Sequence, residues 1–145
     1  MIRELKNNEA EINKVMKIWR ESTIKGHPFI SSEYWDESYE TVKNEYLPIS
    51  KTYVYEDGEI KGFISIIEGS FIGALFVAVN HQNQGVGRRL LDYVKNLYPC
   101  LSLCVYRKNV SAVTFYEKNG FKIIATELNE GTKEEEYIME YTLVS

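Results

Sequence analysis

The chain is poor in the residues that build cross-links and metal sites. Of its 145 residues only two are cysteine, two histidine and three proline. Cys100 and Cys104 fall four apart on what reads as one strand, which sets their Cα atoms roughly 13 Å apart. A disulfide needs less than about 7 Å, so the two cannot pair within one chain. Both are expected to be reduced, partly buried thiols. His27 and His81 form no cluster with them at metal-ligand spacing, and no metal is expected. No apolar run approaches about 20 residues, so no membrane-spanning helix is expected. The opening MIRELKNNEAEI lacks the apolar core of a signal peptide, which makes the cytoplasm the expected compartment. Basic residues are in deficit, 17 against 21 acidic ones, for a net charge of −4. That argues against a nucleic-acid partner, which normally meets a basic face. It permits a cationic partner such as an amine or a lysine side chain. Repeats, linkers and low-complexity tracts are missing as well. With 44% hydrophobic residues, the length suits one domain, residues 1–145, with a sizeable core.

The stretch Leu75 to Leu91, LFVAVNHQNQGVGRRLL, organises the rest. A short apolar run leads into a polar turn, Asn80 to Gln84. Gly85-Val86-Gly87 and two arginines follow, and then an apolar-periodic helix through Val86, Leu90, Leu91, Val94 and Leu97. The glycines thus sit where a strand hands over to a helix. The first helical turn carries N–H groups without partners, and its dipole favours an anion. Glycine permits close approach and unusual φ/ψ there. Arg88 and Arg89 are misplaced at a helix N-terminus unless an anionic ligand offsets their charge. The residues therefore point to a phosphate or pyrophosphate site. A Walker A loop needs Gly-Lys-Ser/Thr, and here Gly87 precedes two arginines. A dinucleotide fingerprint needs a third glycine where Leu90 stands. Both nucleotide readings are disfavoured.

The rest of the chain alternates strands and helices. A first strand is expected within Met1 to Leu5, then an amphipathic helix over Glu9 to Thr23, stopped by Gly26 and Pro28. Ser31 or Ser32 caps a second helix that ends near Tyr46, before Leu47-Pro48. His27, Phe29, Tyr34, Trp35 and Tyr39 crowd this region, most of them as core, some as candidates to line a substrate groove. Lys51 to Glu56, Glu59 to Ile67 and Phe71 to Val79 read as an antiparallel meander with turns at Asp57-Gly58 and Glu68-Gly69-Ser70. The glycine-led helix is expected over Val86 to Leu97, and Cys100 to Tyr106 is the next strand. Strand, helix, strand demands a parallel pair, so the sheet is mixed. Asn109 is the N-cap of a further helix, which Gly120 ends and Phe121 closes. Phe121 to Glu127 and Glu135 to Leu143 form the last two strands, with Asn129 to Thr132 between them.

Gln82-Asn83-Gln84-Gly85-Val86-Gly87 has the form Gln-x-x-Gly-x-Gly. It resembles motif A of the GNAT superfamily of acetyl-CoA-dependent N-acetyltransferases. Asn109, Ala112, Phe115, Tyr116, Gly120 and Phe121 resemble motif B, at the expected distance downstream. The runs Ile18 to Thr23, Gly26 to Ile30 and Ile67 to Phe71 resemble small bacterial members. The resemblance covers nearly the whole chain. It implies an α/β fold: a GNAT-like, roughly seven-stranded mixed sheet flanked by about four helices.

The same resemblance implies roles. Acetyl-CoA is the donor, its pyrophosphate held at Gln82, Gln84, Gly85, Val86, Gly87, Arg88 and Arg89. A bulge in the preceding strand frees backbone groups for the acetyl and pantetheine parts, and the matching positions are Phe76, Val77 and Val79. Where many relatives have Val-Asp-Pro, this chain has Val77-Ala78-Val79. Asn109 lies near the pantetheine arm. Tyr116 matches the general acid that protonates the departing sulfur. Glu68 is the first candidate for the base that deprotonates the amine, with His27 and Glu33 as alternatives and a water chain as another. His27, Phe29 and Phe71 are candidate acceptor contacts. The expected partner is an amine, on a protein lysine or a small molecule, and the expected state is monomer or homodimer. Two other classes stay open: a non-catalytic acyl-CoA-binding module, and a nucleotide-binding protein.

Overall fold

The computed structural model describes residues 1–143. Seven strands form a mixed sheet in the order β1-β2-β3-β4-β5-β7-β6. They are β1 (Ile2–Glu4), β2 (Ser50–Asp57), β3 (Glu59–Ile67), β4 (Phe71–Val77), β5 (Cys100–Tyr106), β6 (Lys122–Asn129) and β7 (Glu134–Thr142). Helix α1 (Glu9–Gly26) and helix α2 (Ser32–Thr41) precede β2; α2 continues through a π-helical stretch, Val42–Tyr46, into one last turn, α3 (Leu47–Ile49). Helix α4 (Val86–Lys95) joins β4 to β5, and α5 (Val110–Lys118) follows β5.

Alternation along the strands divides the core between two layers. Phe63 and Val54 point to α1 and α2, where they meet Val15, Met16, Ile18, Trp19 and Trp35. Ile64, Ile66, Leu101 and Leu103 point the other way, onto Leu90, Leu91, Val94 and Phe121. The aromatics after α1 are largely core, as their crowding suggested. Trp19 and Trp35 stack edge to face with centroids 6.2 Å apart, and Trp35 lies 5.2 Å from the His27 ring.

Several boundaries differ from the sequence expectation. Helix α1 runs through Gly26. Pro28 ends it instead, by holding the preceding His27 out of helical geometry (φ −129°, ψ 63°). Pro48 does not break the second helix before it but sits inside its last turn. Strand β4 stops at Val77, and Val79–His81 forms a 3-10 turn. The cysteines are exposed rather than partly buried. They share the side of β5 opposite to Leu101, Leu103 and Val105, which take the core.

The parallel pair is present, but its seam is short. β4 and β5 match only at Phe71 and Ser102, where Ser102 N–H donates to Ser70 O at 2.9 Å. Beyond that point the strands part. A bulge in β4 contributes to this: Ser65 pairs Ala74 and Ile66 pairs Ile72, which leaves Gly73 unmatched. On the far side of the gap β5 stays fully paired with β7, from Cys100 to Tyr106.

Candidate active site

The gap between β4 and β5 is the centre of the site. Ala78 N–H donates to Lys61 O, toward β3. By strand alternation the main-chain groups of Val77 and Leu75 point the opposite way, into the gap. The Val77 carbonyl is already taken, by Ser22 Oγ at 2.8 Å and Gln82 Nε2 at 3.2 Å. Phe76 faces β3 with its main chain, opposite Phe63, so its ring rather than its N–H is what the site receives.

At the open end of the gap stands the N-terminus of α4. Its cap residue, Gly85, is left-handed (φ 81°), and no side chain accepts from the first turn. A Cβ on Gly85 would meet nothing within 4 Å, so the space above it is open. The unpartnered N–H groups, the open cradle and the positive dipole end together fit an anion such as a pyrophosphate. Arg88 and Lys25 line the same groove, the latter donating to Gln82 Oε1 at 3.2 Å. The groove holds about 690 Å³ and runs past Gly85, Val86, Gly87, Phe76 and Val77 to Asn109 and Tyr116.

Asn109 caps α5 and also faces α1. Its Oδ1 accepts from Ala112 N–H at 3.4 Å, and its Nδ2 lies 3.4 Å from His27 Nε2. His27 Nδ1 is 2.7 Å from the Thr23 carbonyl, so that nitrogen carries the proton and Nε2 holds a lone pair. Burial lowers the His27 pKa below the ordinary histidine value, which keeps the ring neutral at neutral pH. Tyr116 is buried, and burial alone pushes its hydroxyl well above the usual tyrosine range. It holds its proton throughout the neutral range.

Behind the groove a narrower slot of about 240 Å³ passes through the sheet between β4 and β5. It shares His27, Leu75, Phe76, Asn109 and Tyr116 with the groove. On the α1/α2 face it shares Trp19, Trp35, Gly73 and Ala74 with a chamber of about 610 Å³. The chamber is lined by Tyr34, Tyr46, Phe71 and Asn129, among others, and Glu37 is the charged residue on its wall.

The structure thus brings together Gln82, Gly85, Val86, Gly87, Arg88, Phe76, Val77, Asn109, His27 and Tyr116 on one groove. Phe71 lies in the chamber. Other sequence candidates stand apart. Arg89 turns toward β2, where its Nη1 donates to Tyr55 Oη at 2.8 Å. Val79 leaves the strand for the exposed 3-10 turn, and Gln84 is exposed beside it, off the groove. Glu68 occupies the exposed β3–β4 turn with φ 54°, at the closed end of the β4–β5 gap. Phe29 packs on His27 and Tyr106 rather than lining groove or chamber. Ser22, Lys25, Leu75 and Glu37 were not foreseen. Their positions depend on how α1 and α2 dock, and no local pattern reports that.

This fold and site define an N-acetyltransferase that takes its acetyl group from acetyl-CoA. The chain belongs to the GNAT acetyltransferases: the acetyltransferase (GNAT) domain family matches residues 12–134. It is 39% identical to the peptidyl-lysine N-acetyltransferase YiaC of Escherichia coli K12, over 99% of this chain and 98% of that protein. Its fold is similar to the solution structure of apo YjaB from Escherichia coli, with a TM-score of 0.83, 27% identity and 99% of both chains covered. It also resembles an aminoglycoside 6'-N-acetyltransferase complexed with coenzyme A, at a TM-score of 0.74 and 21% identity over 100% of this chain and 98% of that one. Among the described residues no group of acidic, histidine or cysteine side chains is placed to hold a metal, and no helix is long and apolar enough to cross a membrane.

Proposed function

We propose that residues 1–145 act as one catalytic domain that acetylates lysine side chains of proteins. One observation carries this reading: groove, slot and chamber share lining residues, so a passage crosses the sheet where β4 and β5 part. Acetyl-CoA supplies an acetyl thioester, whose C–S bond breaks as a C–N bond forms. The ammonium gives up two protons on becoming an amide, one released to solvent before attack and one balancing the proton that ends on sulfur. The α4 N-terminus, Arg88 and Lys25 hold the pyrophosphate end in the groove. The Leu75 and Val77 N–H groups offer donors inside the gap. The amine enters from the opposite face.

The chamber suits a lysine. Its aromatic walls accept four methylenes, and Glu37 offers a carboxylate to the ammonium. The similarity to a peptidyl-lysine acetyltransferase favours the same acceptor. Free lysine has a pKa of about 10.4. His27, with its lowered pKa, is therefore a poor base for the ammonium. Glu68 lies outside the passage. Glu37 takes the place of both as the group that meets the amine: it holds the ammonium by charge, and the proton leaves directly to solvent at the chamber mouth.

Tyr116 supports the departing sulfur by donating a hydrogen bond. An ordinary thiol has a pKa of about 8.5. Complete proton transfer from a tyrosine raised above its usual range runs uphill, so Tyr116 keeps its proton and solvent completes the thiol. Isotopically labelled acetyl-CoA, incubated with the protein and a desalted bacterial lysate, tests the reading. Label on lysine side chains is expected, falling about 10²-fold with Tyr116→Phe while acetyl-CoA binding stays within about twofold. Label confined to small amines would move the acceptor to metabolites. Equal labelling by the Phe variant would remove Tyr116 from the chemistry.

A further inference from the structure

Trp35 stands in the first turn of α2, with 9% of its surface exposed. Its ring is enclosed by Tyr34 at 5.0 Å, His27 at 5.2 Å, Trp19 at 6.2 Å and Tyr106 at 6.4 Å between centroids. The indole Nε1 is buried and, among the described residues, has no hydrogen-bond partner. The same is true of His81 Nε2, but that atom at least faces a carboxylate, Glu59 Oε2 at 3.8 Å. A buried donor left without an acceptor is costly and rare in folded proteins.

The place matters as much as the missing partner. Trp35 lines both the slot and the chamber, at the junction it shares with Trp19, Gly73 and Ala74. An indole N–H can only donate. A lysine side chain arriving through the chamber brings methylenes and an ammonium, which also only donates. The ammonium therefore cannot satisfy Trp35, and once deprotonated its single lone pair is committed to attack on the acetyl carbon. On the proposed reading, acetyl-CoA in the groove brings its acetyl group to this point, and that carbonyl oxygen accepts and gains negative charge during transfer.

We infer that the Trp35 indole N–H donates to the acetyl carbonyl oxygen of bound acetyl-CoA. It acts beside the Leu75 and Val77 main-chain donors and is a catalytic residue of this enzyme. Donors fixed in a water-poor site stabilise developing charge without having to reorganise. The inference rests on acetyl-CoA filling the passage and not on which amine accepts.

Coenzyme A itself supplies the control, because it carries the whole arm without the acetyl carbonyl. The chain has two tryptophans, hence two indole N–H signals in a ¹⁵N spectrum, which Trp35→Phe or Trp19→Phe assigns. Acetyl-CoA is expected to move the Trp35 signal downfield, and coenzyme A is not. Equal responses to the two ligands, or none from Trp35 while the amides of Gly85 to Arg88 move, would overturn the inference and leave the acetyltransferase reading intact. No response at Gly85 to Arg88 would overturn both. In turnover, Trp35→Phe is expected to lower kcat about 10²-fold with the KM for acetyl-CoA within about twofold. A parental kcat would overturn it. Should that variant fail to fold, the two titrations of the parent protein, assigned through Trp19→Phe, decide alone.

Discussion

Helices α1 and α4 begin in opposite ways. At α1 the Asn8 side chain accepts from Glu11 N–H, and Glu9 and Glu11 place negative charge in the first turn. Glu11 then pairs with Arg3 at 2.9 Å, and that guanidinium holds its carboxyl below the usual range. That helix end takes its cap, its negative charge and the counter-ion to that charge from within the chain. At α4 the cap is a left-handed glycine, no side chain accepts, no acid lies in the first turn, and Arg88 and Arg89 stand there instead. The first arrangement suits a helix whose task is to pack. The second leaves donors and positive potential for something from outside, and it does so beside the gap between β4 and β5. A binding site can thus be recognised by where ordinary helix-ending rules are not followed.

The comparison breaks most sharply if α4 is given the first turn of α1. Gly87→Glu places an acid at that end. A Cβ there meets Val77 and Phe115 at ordinary contact distances of 3.6 and 3.7 Å, so the fold tolerates it. Acetyl-CoA affinity is expected to fall at least 10²-fold by calorimetry with little change in Tm; parental affinity would remove the phosphate cradle. The converse change, Asn8→Ala, is expected to cost about 1 kcal/mol in denaturant unfolding and to leave acetyl-CoA binding unchanged. A smaller effect separates the two arginines. Arg88→Gln is expected to weaken binding about threefold at low salt, fading as salt rises. Arg89→Gln should not weaken it, because that side chain is engaged with Tyr55. Equal losses for both would place Arg89 in the groove after all.

Much of this was legible in the residues. The bounds of β3 and β5, the Asn109 cap and the Gly120 terminator (φ 90°) stand where patterning put them. The pairing of motif A with motif B carried the family. The errors have a common source. A motif is contiguous, but consecutive helical residues point about 100° apart, so Arg88 and Arg89 cannot both face one groove. Glu68 was assigned by its place in the chain, and a strand's length separates it from the open end of the gap. The cysteines were within reach of sequence reasoning: Cys100 and Cys104 alternate with Leu101 and Leu103, which already declares the opposite face. Trp35 and Glu37 were not, since nothing local tells an indole on the chamber wall from one in the core.

The β4–β5 seam has a further consequence. One matched pair, Phe71 and Ser102, is the ladder stitch between β4 and β5, and a shared apolar core holds the two halves otherwise. A ligand lodged above that stitch touches both halves and acts as a clasp. Ligand that binds the folded but not the unfolded chain adds about 2.7 kcal/mol to stability at a hundredfold excess over its Kd. The endurance of this protein in a cell would then follow its supply of acetyl-CoA: the loaded protein unfolds less often and is the poorer target for a protease.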